Sequence, residues 1–309
     1  MAGKEKGRMT DRETLGESMD ERYGRYRQII RDFTLMSDTF MRNVCREKDC
    51  VEHILQVIMG QVGLRVVESV VQSDYKNMQG RSAILDCVAR DTEERRYNME
   101  VQQKSEGAAP ERARYHGGLL DMHTLKEGQD FRELPEGNII FITRSDVLGK
   151  GLPIYHIDRT VDETGEKFRD GQHILYVNAA IQDEGTELGR LMHDFHCRDA
   201  DEMYSEVLAA RVRQLKETTK GVESMCQEMD QIYKEGKELG EQIGEERGRR
   251  LGEEHGRQIG EELGKVAARR QTVLSMAIEG LPVELIARIV KESTDKVRQW
   301  IDEGAAAAR

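Results

Sequence analysis

No apolar run in this 309-residue chain approaches the roughly 18 residues that a membrane-crossing helix needs. The opening stretch, MAGKEKGRMTDRETLGESMDERYGRYR, has no apolar core of the kind a secretory signal carries. Cys45, Cys50, Cys87, Cys197 and Cys226 are odd in number and show no paired-ligand spacing, so reduced thiols of a cytoplasmic protein are expected. Aromatics make up 5% of the residues and the net charge is −11. Nothing in the bulk composition therefore advertises nucleic-acid binding, although phosphate contact depends on local patches rather than on the total. P-loop, G-x-S-x-G and H-E-x-x-H patterns are missing, which sets aside the commonest ATPase, serine-hydrolase and zinc-protease chemistries. SDVLGKGLP has glycines around Lys150 without the rest of a phosphate loop, and reads as a turn.

What is present sorts into four segments. Residues 1–30 are polar and aperiodic, and a flexible tail is expected. Residues 31–205 read as a mixed α/β domain. Phe40, Val44, Val51, Ile54, Leu55 and Ile58 fall at helical spacing, with a break near Glu47 to Asp49. LRVVESVVQ is β-branched and strand-like, and a hairpin follows it. A helix starts near Pro110, NIIFITRSDV reads as a strand buried on both faces, and LPIYHIDRTV and QHILYVNAA add two more strands. Residues 206–270 form a helical linker containing an octad repeat with glycine at every fourth position from Gly236 to Gly264. Residues 271–304 read as a small module of short helices, broken at Gly280 to Pro282 and near Ser293.

The hairpin RSAILDCVARDTEERRYNMEVQQK carries the chemistry. With DTEER as the turn, antiparallel partners straddle Glu93, so Asp86 faces Glu100, Val88 faces Asn98 and Ile84 faces Gln102. Alternation then puts Asp86, Glu100, Gln102 and Lys104 on one face. Like charges directly opposite destabilise a sheet, and a divalent cation such as Mg²⁺ between the carboxylates would offset the cost. Gln102 could orient an attacking water and Lys104 could supply positive charge. The plainer reading is a solvated strand face, because the D-to-E-x-Q spacing is loose.

The order of elements sharpens the choice. Asp86 with Glu100-Val101-Gln102 resembles the signature of the PD-(D/E)XK nucleases. The nearer likeness is to the bacterial recombination-promoting nuclease and transposase family, in which glutamine often takes the lysine position. LMSDTFMRNV, DYKNMQGRSAILDCVARD, YNMEVQQ, ERARYHGGLLD, GQDFRELPEGNIIFITRSDVLGKGLPIYHIDR and LGRLMHDFHC carry the resemblance across about residues 33–233, and the glycine-repeat tail resembles that of many members. It implies a restriction-endonuclease-like core, a mixed sheet flanked by helices with a C-terminal helical extension, that cuts DNA by metal-dependent phosphodiester hydrolysis. Asp86 and Glu100 would be metal ligands, for Mg²⁺ first and Mn²⁺ or Ca²⁺ as alternatives, and Gln102 would occupy the catalytic lysine position. An acidic residue on the first helix assists the metal in such folds. Asp38 is placed for that, although an N-cap role suits it better. The alternative is a catalytically weak DNA-binding or assembly protein that keeps the fold.

Three further features need weighing. Arg112 and Arg114 lie near the start of the helix after the second carboxylate strand, where they would either contact DNA phosphate or pair with Glu106 or Glu111. His193, His196 and Cys197 have a metal-like spacing but no second ligand pair, so a packed helix is expected instead. The eight glycines from Gly236 to Gly264 cost a helix about 6–8 kcal/mol relative to alanine. Pairs such as Glu245–Arg249, Glu246–Arg250 and Glu253–Arg257 return only about 0.2–0.5 kcal/mol each. A flexible tether with transient helix is the expectation, although Leu239, Ile243, Leu251, Ile259 and Leu263, each one place before a glycine, would suit a homo-oligomer. The last segment resembles a minimal helix-turn-helix that would turn Lys296, Arg298 and Gln299 toward DNA, with a packing or pairing module as the alternative.

Overall fold

The computed structural model describes residues 19–76 and 82–307; side chains are described for fewer, residues 19–20, 72–76, 82–84, 105 and 305–307 being excluded. Within the DYKNMQGR stretch, residues 77–81 lie outside the described residues, as do residues 1–18 of the expected tail. Two compact units divide at Met229 and Asp230.

The first unit is α/β. Helices α1 (Met19–Asp32), α2 (Asp38–Cys45) and α3 (Lys48–Met59) lead into strands β1 (Val66–Lys76), β2 (Ser82–Asp91) and β3 (Arg96–Gln102). Helix α4 (Pro110–Thr124) then precedes β4 (Gly137–Thr143), β5 (Ile154–Ile157) and β6 (Gln172–Asn178). Helices α5 (Glu187–His196) and α6 (Glu206–Glu217) close it. The six-stranded sheet runs β1-β2-β3-β4-β6-β5. β3, β4 and β6 are parallel, and the other neighbours are antiparallel. Every residue of β4 is buried, as its uninterrupted apolar run requires of a central strand.

The two sheet faces carry separate cores. On one, Cys87, Tyr97, Met99, Val101, Ile140 and Ile142 pack against α1, α2, α3, α5 and α6. On the other, Val88, Ile139, Phe141 and Tyr176 meet Ala113 and Leu120 of α4.

Both ends of this unit differ from the expected boundaries. Residues 19–30 belong to α1, which buries Tyr26 and Ile30 in the main core, so the tail expectation fails there. Two apolar residues four apart were enough to dock a helix of otherwise low hydropathy. The Lys216 ammonium fastens its end, donating to the carbonyls of Arg31 (3.1 Å), Phe33 (2.5 Å) and Arg198 (2.5 Å). Burial pushes that lysine down to about 8. At the other end, Leu208, Val212, Met225 and Cys226 are buried in the same core, so the domain runs past residue 205.

The second unit lies within α7 (Thr219–Ile278), α8 (Val283–Val290) and α9 (Thr294–Ala307). The glycine repeat is continuous helix in α7, against the expected tether. A small core of Val273, Ile286, Ala287, Val297 and Trp300 holds the last three helical segments together. The basic residues expected to face DNA are taken up by acids. Lys296 pairs with Glu292 (3.1 Å), Arg298 with Glu284 (3.5 Å), and Gln299 donates to Glu303 (2.9 Å).

The burial of Met225 and Cys226 sets a stability test. A chain ending after Thr218 is expected to lose cooperative thermal unfolding, and one ending after Gly236 to keep it. In the full chain, Met225→Ala should cost about 2–5 kcal/mol in denaturant titration. Cooperative unfolding of the shorter chain would place the boundary back near residue 205.

Candidate functional site

The β2–β3 turn fixes the geometry. Asp91 Oδ1 accepts from the backbone of Glu93 (2.9 Å) and Arg95 (2.9 Å). Asp91 Oδ2 accepts from Arg95 Nε (2.7 Å) and Tyr97 Oη (2.8 Å). The ladder that follows pairs Arg90 with Arg96, Val88 with Asn98 and Cys87 with Met99, as a turn centred on Glu93 dictates. It stops there. β2 stays paired to β1 as far as Ser82, while β3 stays paired to β4 as far as Gln102. The two strands therefore part, and Asp86 and Glu100 are the first residues beyond the last rung. The pairing of Ile84 with Gln102 consequently does not form; Ile84 is opposite Asp74.

Glu100 spans the opening. Its carboxylate is fully buried, and Oε1 accepts from the Asp86 backbone N–H (3.3 Å) and Asn98 Nδ2 (3.2 Å). Oε2 accepts from Arg112 Nη2 (3.2 Å). Arg112 also donates from Nη1 to the carbonyl of Gly107 (3.1 Å) and from Nε to His116 Nε2 (3.3 Å). His116 Nδ1 lies 3.2 Å from Asn98 Nδ2 and 3.4 Å from Glu100 Oε1. The guanidinium thus ties β3, α4 and the turn between them into one cluster. Asn98 Oδ1, buried beside this cluster, has no hydrogen-bond partner.

Asp86 is in a different position. Burial first, then the Glu100 charge and that of Asp38, pushes its carboxyl up to about 8, against the opposing pull of Arg42 and Arg112. A void of about 10 Å³ adjoins it, lined by Asp38, Arg42, Cys45, Asp86 and Met99 among others. That is room for one water-sized occupant.

The remaining expected residues divide. Gln102 ends β3 half-buried, and its amide lies against Gly107, where an added Cβ would collide with Gln102 Oε1. Lys104 is not on the shared face: β3 has ended two residues earlier, and Lys104 is an exposed residue capping the short 3₁₀ turn Ser105–Ala108. Asp38 does not cap α2. Ser37 holds the N-cap position, and Asp38 is an exposed first-turn residue paired with Arg42 at 3.5 Å. Arg112 pairs with Glu100 rather than with Glu106 or Glu111 while its side chain stays 39% exposed, and Arg114 is exposed. Asn98 and His116 went unnoticed in the sequence. The signals were there: Asn98 stands two residues before Glu100, on its face, and His116 stands one helical turn after Arg112.

A second cluster sits at the end of α5. His193, Asp194 and Cys197 bring ligand atoms within 4.8 Å of one another and could hold a metal ion. His196 is not part of it; its ring contacts the Met192 carbonyl (2.9 Å). Asp194 already accepts from the backbone of Tyr204 (2.7 Å) and Ser205 (2.9 Å), which positions the start of α6. Burial pushes the Cys197 thiol up to about 11, so it carries its proton at neutral pH. No helix among the described residues is long and apolar enough to cross a membrane.

The raised Asp86 pKa has a definite sign. The folded state holds a proton that an unfolded aspartate releases near pH 3.9, so the group's contribution is complete at low pH and is lost as pH rises through about 8. Asp86→Asn, which does not ionise, should melt within error of the native chain near about pH 4 and about 3 °C or more above it near about pH 9 in EDTA. A melting difference that does not change with pH would contradict this. No protein-family model, curated protein or solved structure matches the chain.

Proposed function

We propose that the opening between β2 and β3 is the active site of a metal-dependent DNA endonuclease of the transposase- and recombination-associated kind. The observation that carries this reading is the pair of carboxylates at the parted strands, of which Asp86 is held near neutrality by burial and by Glu100. A hard divalent cation suits the donor set: carboxylate oxygens from Asp86 and Glu100, with the unpartnered amide oxygen of Asn98 on the Glu100 side. Mg²⁺ is the first choice, with Mn²⁺ or Ca²⁺ as alternatives. Such an ion, when bound, activates water and offsets the charge that builds up on the phosphate. The chain's own residues do the rest. Arg112 and His116 hold the Glu100 carboxylate in place beside the opening. Gln102 offers an amide N–H₂ to the attacking water or a phosphate oxygen, without the charge a lysine would bring.

One observation favours a second reading, a catalytically weak DNA-binding or assembly protein. Both oxygens of Glu100 already accept hydrogen bonds from protein donors. Incubation with plasmid DNA separates the two. Under the first reading, nicking requires Mg²⁺ or Mn²⁺, stops in EDTA, and falls by about 100-fold or more in Asp86→Ala and Glu100→Ala. DNA retained on the protein with no cutting in any of the three metals would support the second. Gln102→Lys is expected to lower both metal affinity and rate, because its ammonium would join Arg112 beside the carboxylates and compete for them. A faster Gln102→Lys enzyme at saturating Mg²⁺ would mean that glutamine is a loss rather than an adaptation.

A further inference from the structure

The repeat in α7 is exposed along its whole length, and nothing in the described chain lies within 4 Å of where side chains on its eight glycines would begin. Leu239, Ile243, Leu251, Ile259 and Leu263 stand beside them, 42–67% exposed. An exposed helix that spends eight glycines and several large apolar side chains without covering them is poorly explained by one chain. The charges indicate what covers it. Every fourth residue from Glu241 to Arg269, the row directly following the glycine positions, reads Glu, Glu, Arg, Glu, Arg, Glu, Lys, Arg. Read backwards it is Arg, Lys, Glu, Arg, Glu, Arg, Glu, Glu, opposite in sign at every place.

We propose that α7 pairs with α7 of a second copy of this chain, antiparallel, about a two-fold axis passing at His255. In antiparallel helix pairs, flanking rows run beside their own copies in reverse. Glu245 then meets Lys265, Arg249 meets Glu261 and Glu253 meets Arg257, each twice. The same axis brings Leu251 level with Ile259 of the partner, with Gly252 and Gly260 one residue away. Two large apolar side chains thus meet across the axis, beside glycines that let the helices approach closely. Moving the axis by two residues sets like charges together, Glu253 against Glu261 and Arg249 against Lys265 in one direction, Glu245 against Glu261 and Arg249 against Arg257 in the other, so the register is specified as well as the direction. Exposed pairs within one helix, such as Arg257–Glu261 at 3.1 Å, already hold these charges in line. A four-residue period exceeds the 3.6 of a straight helix, so a pair that follows this stripe wraps with a right-handed sense.

The proposal is independent of any nuclease activity, and full-length protein tests it. Sedimentation equilibrium across a concentration series should give a monomer–dimer equilibrium. Glu253→Arg places arginine against Arg257 at two symmetric points and should weaken dimerisation by about tenfold or more. Adding Arg257→Glu to the same chain exchanges the signs and should restore it. Direction is read by cross-linking. A Glu241→Cys chain mixed with an Arg269→Cys chain should form a disulfide between them, whereas Glu241→Cys alone should not link to itself; the native cysteines are all buried. A monomer at all concentrations, a dimer indifferent to Glu253→Arg, or Glu241→Cys linking to itself would each overturn the proposal.

Discussion

A carboxylate with no solvent exposure has to be met by hydrogen-bond donors, and in this fold that requirement falls on Glu100. Its donors come from three places: the backbone of β2, a side chain earlier in β3, and the first turns of α4. Meeting them fixes how far β2 can separate from β3 and how α4 crosses the sheet. Arg112 is the joint of this arrangement, since the same guanidinium reaches Glu100, His116 and the Gly107 carbonyl. Asp86, across the opening, receives no comparable set of donors. Two neighbouring carboxyl groups thus stand in unlike surroundings, one met by hydrogen-bond donors and the other pushed up by burial and by its neighbour's charge. A perturbed carboxyl beside a second one is what acid–base and metal chemistry draw upon.

The parts of this site that follow from local rules could be read from the residues. A polar five-residue turn between alternating segments set the register, and the register put Asp86 beside Glu100. Position along the strand was legible; where the strand stopped was not. Lys104 keeps the right parity, but the chain leaves the sheet at Gln102, because β4 has its last paired residue at Thr143 and the turn to α4 begins there. Arg112 was legible as a charge near a helix start, with DNA phosphate or a nearby carboxylate, Glu106 or Glu111, as its expected partner. Its actual partner lies on a strand ten or so residues earlier, and only the close packing of α4 against β3 reveals it. Fold class was legible for a similar reason, from element order and the apolar run of β4. The likeness to known nucleases remains a reading of motifs.

The ends of the domain were hidden by composition. α1 and the beginning of α7 are polar overall, and each contributes only two or so side chains to the core. Averages over a segment miss such sparse anchors. The glycine repeat makes the opposite point: propensity counted against a helix, yet 60 residues run as one. A cost of several kcal/mol relative to alanine is here spread over a long helix, most of it solvent-facing.

The single tryptophan, Trp300, is buried in the small core shared by the last three helical segments, with the Lys296 ammonium 5.2 Å above its ring. The α/β unit contains no indole at all. Emission excited at the red edge of the protein's absorbance therefore arises from one unit alone, while the circular dichroism of the sheet arises from the other. Two optical signals already built into the chain follow its two units separately, without a label or a cut.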